Sequence, residues 1–99
     1  MALHLFVSRR AASEIKRAAR WWKENRPDAP GAVRKDLKTT LDLLLLQPGI
    51  GSEVEEASSP DVQRFYLDRI RYWAYYRVRH DRFEVLSVWH ESRGEGPSI

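Results

Sequence analysis

Residues 62–90, VQRFYLDRIRYWAYYRVRHDRFEVLSVWH, contain three strand patterns in close succession. Branched and aromatic residues dominate this stretch, and such residues favour β-strands. We predict strands over Val62–Leu67, Arg71–Arg79 and Arg82–His90. Only the pair His80–Asp81 separates the last two strands, so they are expected to form an antiparallel hairpin with a tight turn.

Upstream of this stretch, the sequence begins with a strand pattern and a helix signal. Leu3, Leu5 and Val7 recur at every second position, which is the period of a short strand. The following Ser8 precedes Arg9–Asn25, a segment without Gly or Pro. A serine hydroxyl accepts a hydrogen bond from an unpaired first-turn amide, so Ser8 is expected to cap a helix over this segment.

Both predicted helices carry an apolar stripe that indicates one buried side. The second helix is expected to begin between Ala29 and Ala32 and to end near Gln47, because Pro48–Gly49 does not continue a helix well. The short connection between the helices predicts that they pack antiparallel. The stripe residues are Ala11, Ile15, Ala18 and Trp22 in the first helix, and Val33, Leu37, Leu41 and Leu44 in the second.

The remaining segments complete an α+β fold with the order β-α-α-β-β-β. Residues 49–61 are rich in Gly, Ser, Glu and Pro and are expected to form an exposed, mobile loop. We expect one domain over residues 1–93, in which a helix hairpin packs on one face of a mainly antiparallel sheet. Residues 94–99, with two glycines and a proline, are expected to form a flexible C-terminal tail.

Composition restricts the class of protein. The chain has 99 residues, a net charge of +3 and no cysteine, which indicates one small basic domain without disulfides or thiolate metal sites. Histidines and carboxylates show no convincing metal-ligand spacing, and we expect no cofactor. The sequence shows no signal peptide and no apolar run of about 18 residues, so a cytoplasmic protein without membrane contact is expected.

Alternation along the three late strands predicts a helix-covered face and an open face. Aromatic rings stack on bases, arginine pairs with phosphate or carboxylate, and both residue types anchor protein interfaces. The open face is therefore a candidate binding surface, and the alternative is an ordinary solvated sheet. The helix-covered set is Phe65, Leu67, Tyr72, Ala74, Tyr76, Val78, Leu86 and Val88. The open set is Arg64, Tyr66, Trp73, Tyr75, Arg77, Arg79, Phe83, Val85 and Trp89.

Three apolar residues fall outside the helix stripes. Trp21 lies on the side of the first helix that also carries Glu14, and Leu43 and Leu46 lie off the stripe of the second helix. Exposed apolar residues of this kind indicate a surface for a partner protein. The alternative is that they pack in the seam between the helices or against the long loop.

A family resemblance rests on four segments: LLLQPGIG (44–51), QRFYL (63–67), YYRV (75–78) and LSVWHESR (86–93). In this order and spacing they resemble the RelE/ParE superfamily, the toxins of bacterial type II toxin–antitoxin systems. The resemblance extends from Phe6 to Arg93. It implies a small toxin that a cognate antitoxin wraps and neutralises, so that the two proteins form a hetero-oligomer. The antitoxin-binding residues are then expected to include Trp21, Leu43 and Leu46.

Two activities occur in this superfamily, and the matched positions favour one of them. RelE-like members cut messenger RNA in the ribosome, whereas ParE-like members inhibit DNA gyrase. Arg64 and Tyr66 stand where RelE-like strands carry two lysines, and Trp73 and Glu91 stand where they carry arginines. Residues 94–99 hold no counterpart of the RelE-like catalytic tyrosine. The resemblance therefore implies a ParE-like gyrase inhibitor whose target-binding residues are Arg64, Tyr66, Trp73, Tyr75, Arg77, Trp89 and Arg93.

Two alternatives stay open. A ribosome-dependent endoribonuclease would use Arg64, Arg77, His90 and Arg93, because RNA cleavage needs a general base and a cation for the developing charge. Strand alternation directs His90 to the helix-covered side, which opposes this use. The other alternative is a degenerate, non-toxic member that is retained for antitoxin binding or autoregulation.

Overall fold

The structure, a computed structural model, describes residues 2–99 and contains two helices on one side of a five-stranded sheet. The elements are β1 (His4–Val7), α1 (Arg9–Asn25), α2 (Ala32–Leu46), β2 (Ser52–Glu53), β3 (Gln63–Leu67), β4 (Tyr72–Arg79) and β5 (Arg82–His90). The strand order is β1-β5-β4-β3-β2, and β1 alone pairs in parallel. The predicted α+β fold, with its helix hairpin and mainly antiparallel sheet, is confirmed. Neither helix is long and apolar enough to cross a membrane.

The start of α1 depends on Ser8, as the sequence predicts. The Ser8 hydroxyl oxygen accepts a hydrogen bond from the backbone N–H of Ala11 at 3.0 Å. The same hydroxyl donates to the carbonyl oxygen of Leu86 at 3.1 Å. Ser8 therefore satisfies a first-turn amide and also ties the beginning of α1 to β5.

Glu14 is buried, although the sequence placed it on the outward side of α1 with Trp21. β1 pairs with β5 only as far as Val85, so the outer edge of β5 has no strand partner beyond that residue. Glu14 reaches this edge, where its Oε1 atom accepts hydrogen bonds from the Ser87 hydroxyl at 2.8 Å and from the Val88 N–H at 3.0 Å. A side chain thus supplies the acceptor that a neighbouring strand would otherwise provide.

A β-bulge interrupts the hairpin of β4 and β5. Tyr75 is opposite Ser87, but the next residue, Tyr76, is opposite Val85, so Leu86 has no partner in the register. One extra residue on one strand reverses the alternation of side chains on either side of it. The face of each β5 residue therefore depends on whether it precedes or follows Leu86.

The bulge corrects the predicted faces of β5. Phe83 and Val85 are buried in the core with the helices, so their assignment to the open face was wrong. Leu86 is partly exposed and lies outside the core cluster, so its assignment to the helix-covered face was also wrong. Glu84, which lies between the two core residues, is consequently on the open face opposite Arg77.

The predicted loop over residues 49–61 contains a fifth strand. β2 is only two residues long and pairs antiparallel with β3. Tyr76 holds the segment that leads into β2. The Tyr76 hydroxyl accepts a hydrogen bond from the Gly51 N–H at 3.1 Å and donates one to the Pro48 carbonyl at 2.7 Å. So short a strand has no alternation pattern by which the sequence could indicate it.

Candidate functional site

The open face of the sheet presents an aromatic centre on the side away from the helices. Trp73 and Trp89 are opposite each other on β4 and β5, and both are partly exposed. Arg64 and Tyr66 lie beside them on β3, in register with Tyr75 and Trp73. The helices cover the other face, so these side chains are not enclosed between the two layers.

Arg64, Trp73 and Tyr66 form a continuous stacked row. The Arg64 guanidinium carbon lies 4.0 Å from the centre of the Trp73 ring, and the rings of Tyr66 and Trp73 are 4.8 Å apart. No carboxylate within residues 2–99 lies in ion-pair distance of Arg64. This row therefore offers a cation and two rings to a partner, in an arrangement that the contacts hold in place.

A carboxylate closes one end of the row. The Tyr66 hydroxyl donates to Glu91 Oε2 at 2.6 Å, and Arg71 Nη1 donates to Glu91 Oε1 at 3.2 Å. The bond from Tyr66, supported by Arg71, lowers the pKa of Glu91, and the same bond raises the pKa of Tyr66. A phosphate that approached this end would meet a carboxylate that is already paired with Arg71.

Arg77 on the open face is already paired. Its Nε atom donates to Glu84 Oε1 at 2.6 Å, and its Nη1 atom donates to the Ser59 hydroxyl at 3.0 Å. The hydrogen bond from Arg77 holds the pKa of Glu84 below its usual value. Sequence reasoning counted Arg77 as an open cation because the bulge, which places Glu84 opposite it, was not visible in the alternation.

The C-terminal segment lies over part of the open face. Trp89 Nε1 donates to the carbonyl oxygen of Glu95 at 2.7 Å, and the Ser58 N–H donates to the carbonyl oxygen of Ile99 at 2.9 Å. Tyr75, beneath this segment, is only 3% exposed. Residues 53–57 and 94–97 border an open cleft of about 730 Å³ beside Tyr75 and Arg64. The uncovered part of the face is consequently the row of Arg64, Trp73 and Tyr66.

The four residues of the nuclease alternative do not converge. Arg64 and Arg77 lie on the open face, whereas the His90 ring packs edge-on against Tyr72 on the helix side, with ring centres 4.8 Å apart. His90 Nδ1 is also 2.7 Å from the Ser92 hydroxyl oxygen. The Arg93 guanidinium lies 3.9 Å from the centre of the Trp89 ring. A general base at His90 is thus separated by the sheet from the two strand arginines.

Trp21, Leu43 and Leu46 are exposed by 47%, 40% and 82%. Because the helices are antiparallel, Trp21 lies at the opposite end of the hairpin from the two leucines. Sequence reasoning missed an apolar groove of about 330 Å³ on the hairpin, since it assigned the stripe residues on both helices to the core alone. Its apolar lining consists of Leu5, Ile15, Leu37, Leu41 and Leu45.

Comparisons with known proteins agree with this architecture. A family model described as "ParE toxin of type II toxin-antitoxin system, parDE" matches residues 5–94. A structure of the chromosomal ParDE TA system from P. aeruginosa superposes with a TM-score of 0.70 and 18% identity, over 90% of this chain and 96% of that chain. The YoeB dimer from Staphylococcus aureus gives a TM-score of 0.62 and 14% identity, over 92% and 99%. No curated protein is similar enough to this sequence to match it.

The two structural similarities concern the fold, since both identities are below one residue in five. The family model is the stronger finding, because it matches the chain from β1 to the end of the short 3₁₀ helix that follows β5 (Glu91–Arg93). By that match, the chain belongs to the ParE toxin family of type II toxin–antitoxin systems.

Proposed function

We propose that this toxin inhibits DNA gyrase by binding it, without chemistry of its own, and that it acts in the cytoplasm. The observation that carries this proposal is the stacked row of Arg64, Trp73 and Tyr66, which is partly exposed on the open face. Aromatic and arginine side chains supply most of the binding energy in many protein interfaces. Trp89 and Arg93 extend this surface towards the C-terminal segment, since the Arg93 guanidinium carbon lies 3.9 Å from the centre of the Trp89 ring.

The endoribonuclease alternative is less well supported. The fold of the YoeB dimer is similar to this one. RNA binding would require free cations close to a general base, but His90 faces the helix side and Arg77 is bound to Glu84. Glu91, which pairs with Arg71, further places a carboxylate rather than a free cation at the end of the row. Cleavage of RNA requires a base and a cation at one phosphate, and these residues do not meet that requirement.

A gyrase supercoiling assay with the purified chain tests the proposal. We expect the chain to inhibit supercoiling, and Trp73→Ala to require at least about tenfold more protein for half inhibition, since hot-spot truncations cost ~2 kcal/mol or more. Lys35→Ala, an exposed substitution on α2 and outside the open face, is the control and is expected to behave as the original chain.

Induced expression separates the alternatives. Transcripts that stay full length while supercoiling falls would support the gyrase proposal, whereas cuts within codons would favour the nuclease. Growth that continues unchanged, with gyrase uninhibited, would identify a degenerate, non-toxic member.

We further propose that a cognate antitoxin binds the helix hairpin and forms a hetero-oligomer with the toxin. Trp21, Leu43 and Leu46 are exposed on the hairpin, which also contains the apolar groove, and apolar side chains of a partner helix would fill such a groove. An antitoxin encoded beside this gene is the partner to test. Leu46→Ala and Trp21→Ala should each weaken its binding, and unchanged affinity in both variants would contradict the proposed contacts.

A further inference from the structure

The positive charge of this protein is concentrated in the helix hairpin. Residues 9–46 contain ten Lys and Arg residues against five Asp and Glu residues, a net charge of +5. The other residues contain seven against nine, a net charge of −2. The net charge of the whole chain therefore comes from the helices, and the strands and loops reduce it.

Four cations of the hairpin surround one cleft. Lys16, Arg20 and Lys23 lie on one side of α1, and Arg34 of α2 faces them across a cleft of about 450 Å³. The three α1 residues are separated by four and three positions, so they share a face and span roughly 10 Å along the helix. All four side chains are exposed.

These cations have no acidic partner in the fold. Among residues 2–99, none of the four has a carboxylate oxygen within 4.0 Å, whereas Arg69, Arg71, Arg77 and Arg82 outside the hairpin all form ion pairs. Like charges at helical spacing repel each other and weaken the helix. The free protein thus keeps a repulsive cluster that an anion would relieve.

We propose that this cleft, defined by Lys16, Arg20, Lys23 and Arg34, binds the phosphate backbone of duplex DNA. Phosphate contacts need only positioned cations, and they confer affinity without sequence preference. The remaining lining residues, Ala19, Pro30 and Gly31, are small and provide no pocket for a large apolar side chain. A protein partner would require such an anchor, and the apolar groove that provides one is lined by other residues and meets the cleft only at Arg34.

This inference goes beyond gyrase inhibition, because it concerns naked DNA and a surface on the helices. Its test is the binding of the full chain to a labelled 20-base-pair duplex, followed by fluorescence anisotropy between 50 and 200 mM salt. We expect the logarithm of the association constant to fall linearly with the logarithm of salt concentration. Each phosphate contact contributes a slope of about −0.9.

The triple variant Lys16→Gln, Arg20→Gln, Lys23→Gln should bind at least about tenfold more weakly at 50 mM salt, with a slope reduced by about 2.7. The matched control, Arg9→Gln, Lys35→Gln, Arg79→Gln, removes three cations outside the cleft that form no ion pair with residues 2–99, and it should change affinity by less than about threefold. Thermal unfolding by circular dichroism checks that both variants fold.

Three outcomes would overturn the proposal. The first is a chain that does not bind the duplex at 50 mM salt, and the second is an equal loss of affinity in both triple variants, which would indicate net charge alone. The third is tighter binding of a poly-glutamate peptide than of the duplex at equal charge concentration, which would assign the cleft to an acidic protein segment instead. None of these outcomes depends on whether the chain inhibits gyrase.

Discussion

Glu14 Oε1 and the backbone nitrogen of Val88 are 3.0 Å apart, so a helix carboxylate completes the edge of β5 beyond the last residue that pairs with β1. The same oxygen accepts the Ser87 hydroxyl at 2.8 Å. Both donors are buried with it, and no other described residue supplies them with an acceptor. Glu14 is therefore a structural residue on which the junction of α1 and the sheet depends.

Replacement of Glu14 should destabilise the fold. Glu14→Ala is expected to lower the free energy of unfolding by about 2 kcal/mol, because two buried donors lose their acceptor. Glu14→Gln keeps an acceptor oxygen and should cost less. Urea unfolding measures both, with Glu24→Ala, an exposed acid on the same helix, as the control. An equal effect at Glu14 and Glu24 would contradict the assigned role.

The β-bulge makes a prediction about two neighbouring apolar residues. Phe83 is fully buried and stacks on Tyr76 with ring centres 4.8 Å apart, whereas Leu86 is partly exposed at the bulge. Phe83→Ala should therefore lower the free energy of unfolding by about 3–4 kcal/mol, and Leu86→Ala by about 1 kcal/mol. Denaturant midpoints for the two variants check this order. A larger loss of stability in Leu86→Ala than in Phe83→Ala would contradict the bulge and would favour the uninterrupted alternation that the sequence predicts.

Gly51 is restricted by Tyr76, and Gly49 is not. A Cβ atom at Gly51 would overlap the Tyr76 hydroxyl oxygen and lie 3.0 Å from the Arg64 carbonyl, whereas one at Gly49 would meet no atom within 4 Å. Gly51→Ala should cost about 2 kcal/mol through overpacking and through displacement of β2 from β3. Gly49→Ala should change stability by less than about 0.5 kcal/mol. Melting temperatures that agree between the two variants would be inconsistent with this packing.

The pair of Arg77 and Glu84 predicts a dependence of stability on pH. Because Arg77 lowers the pKa of Glu84, the folded state resists protonation of this carboxyl more than the unfolded chain does. Its stabilisation is complete above the ordinary pKa of about 4.3 and is lost as the pH falls through the lowered value. Wild type and Glu84→Gln should thus differ by about 1 kcal/mol at pH 7, and this difference should shrink as the pH falls below about 4. A difference that persists undiminished at pH 3 would be incompatible with the pair.

Local signals in the sequence account for most of the fold. The serine before α1, the Pro-Gly pair after α2 and the His80–Asp81 turn mark element ends that the structure reproduces to within about one or two residues. Capping and turn residues act on their immediate neighbours, so their effect is visible in the order of residues. The bulge at Leu86 is different, because it arises from the pairing of β5 with β4 and no capping or turn residue marks its position.

The sequence predicts which residues of the candidate site share one face, but it predicts less well what each of them contacts. Arg64, Tyr66 and Trp73 lie together on the open face as alternation indicates. The sequence does not reveal that Glu84 pairs with Arg77, since that depends on the bulge, or that the C-terminal segment covers Tyr75. Arg77 and Glu84 meet across the β4–β5 hairpin, and Tyr75 meets the C-terminal segment, so both features depend on pairing and packing that residue type alone does not indicate.

The separation of the two layers gives the molecule an electric polarity. The helices carry an excess of positive charge, and the remainder of the chain carries a slight excess of negative charge. The field of a polyanion would orient such a molecule as it approaches. The helices would then face the polyanion, and the aromatic side of the sheet would point away from it. A toxin held in this orientation would present its stacked row of Arg64, Trp73 and Tyr66 to a protein that is bound to the same nucleic acid.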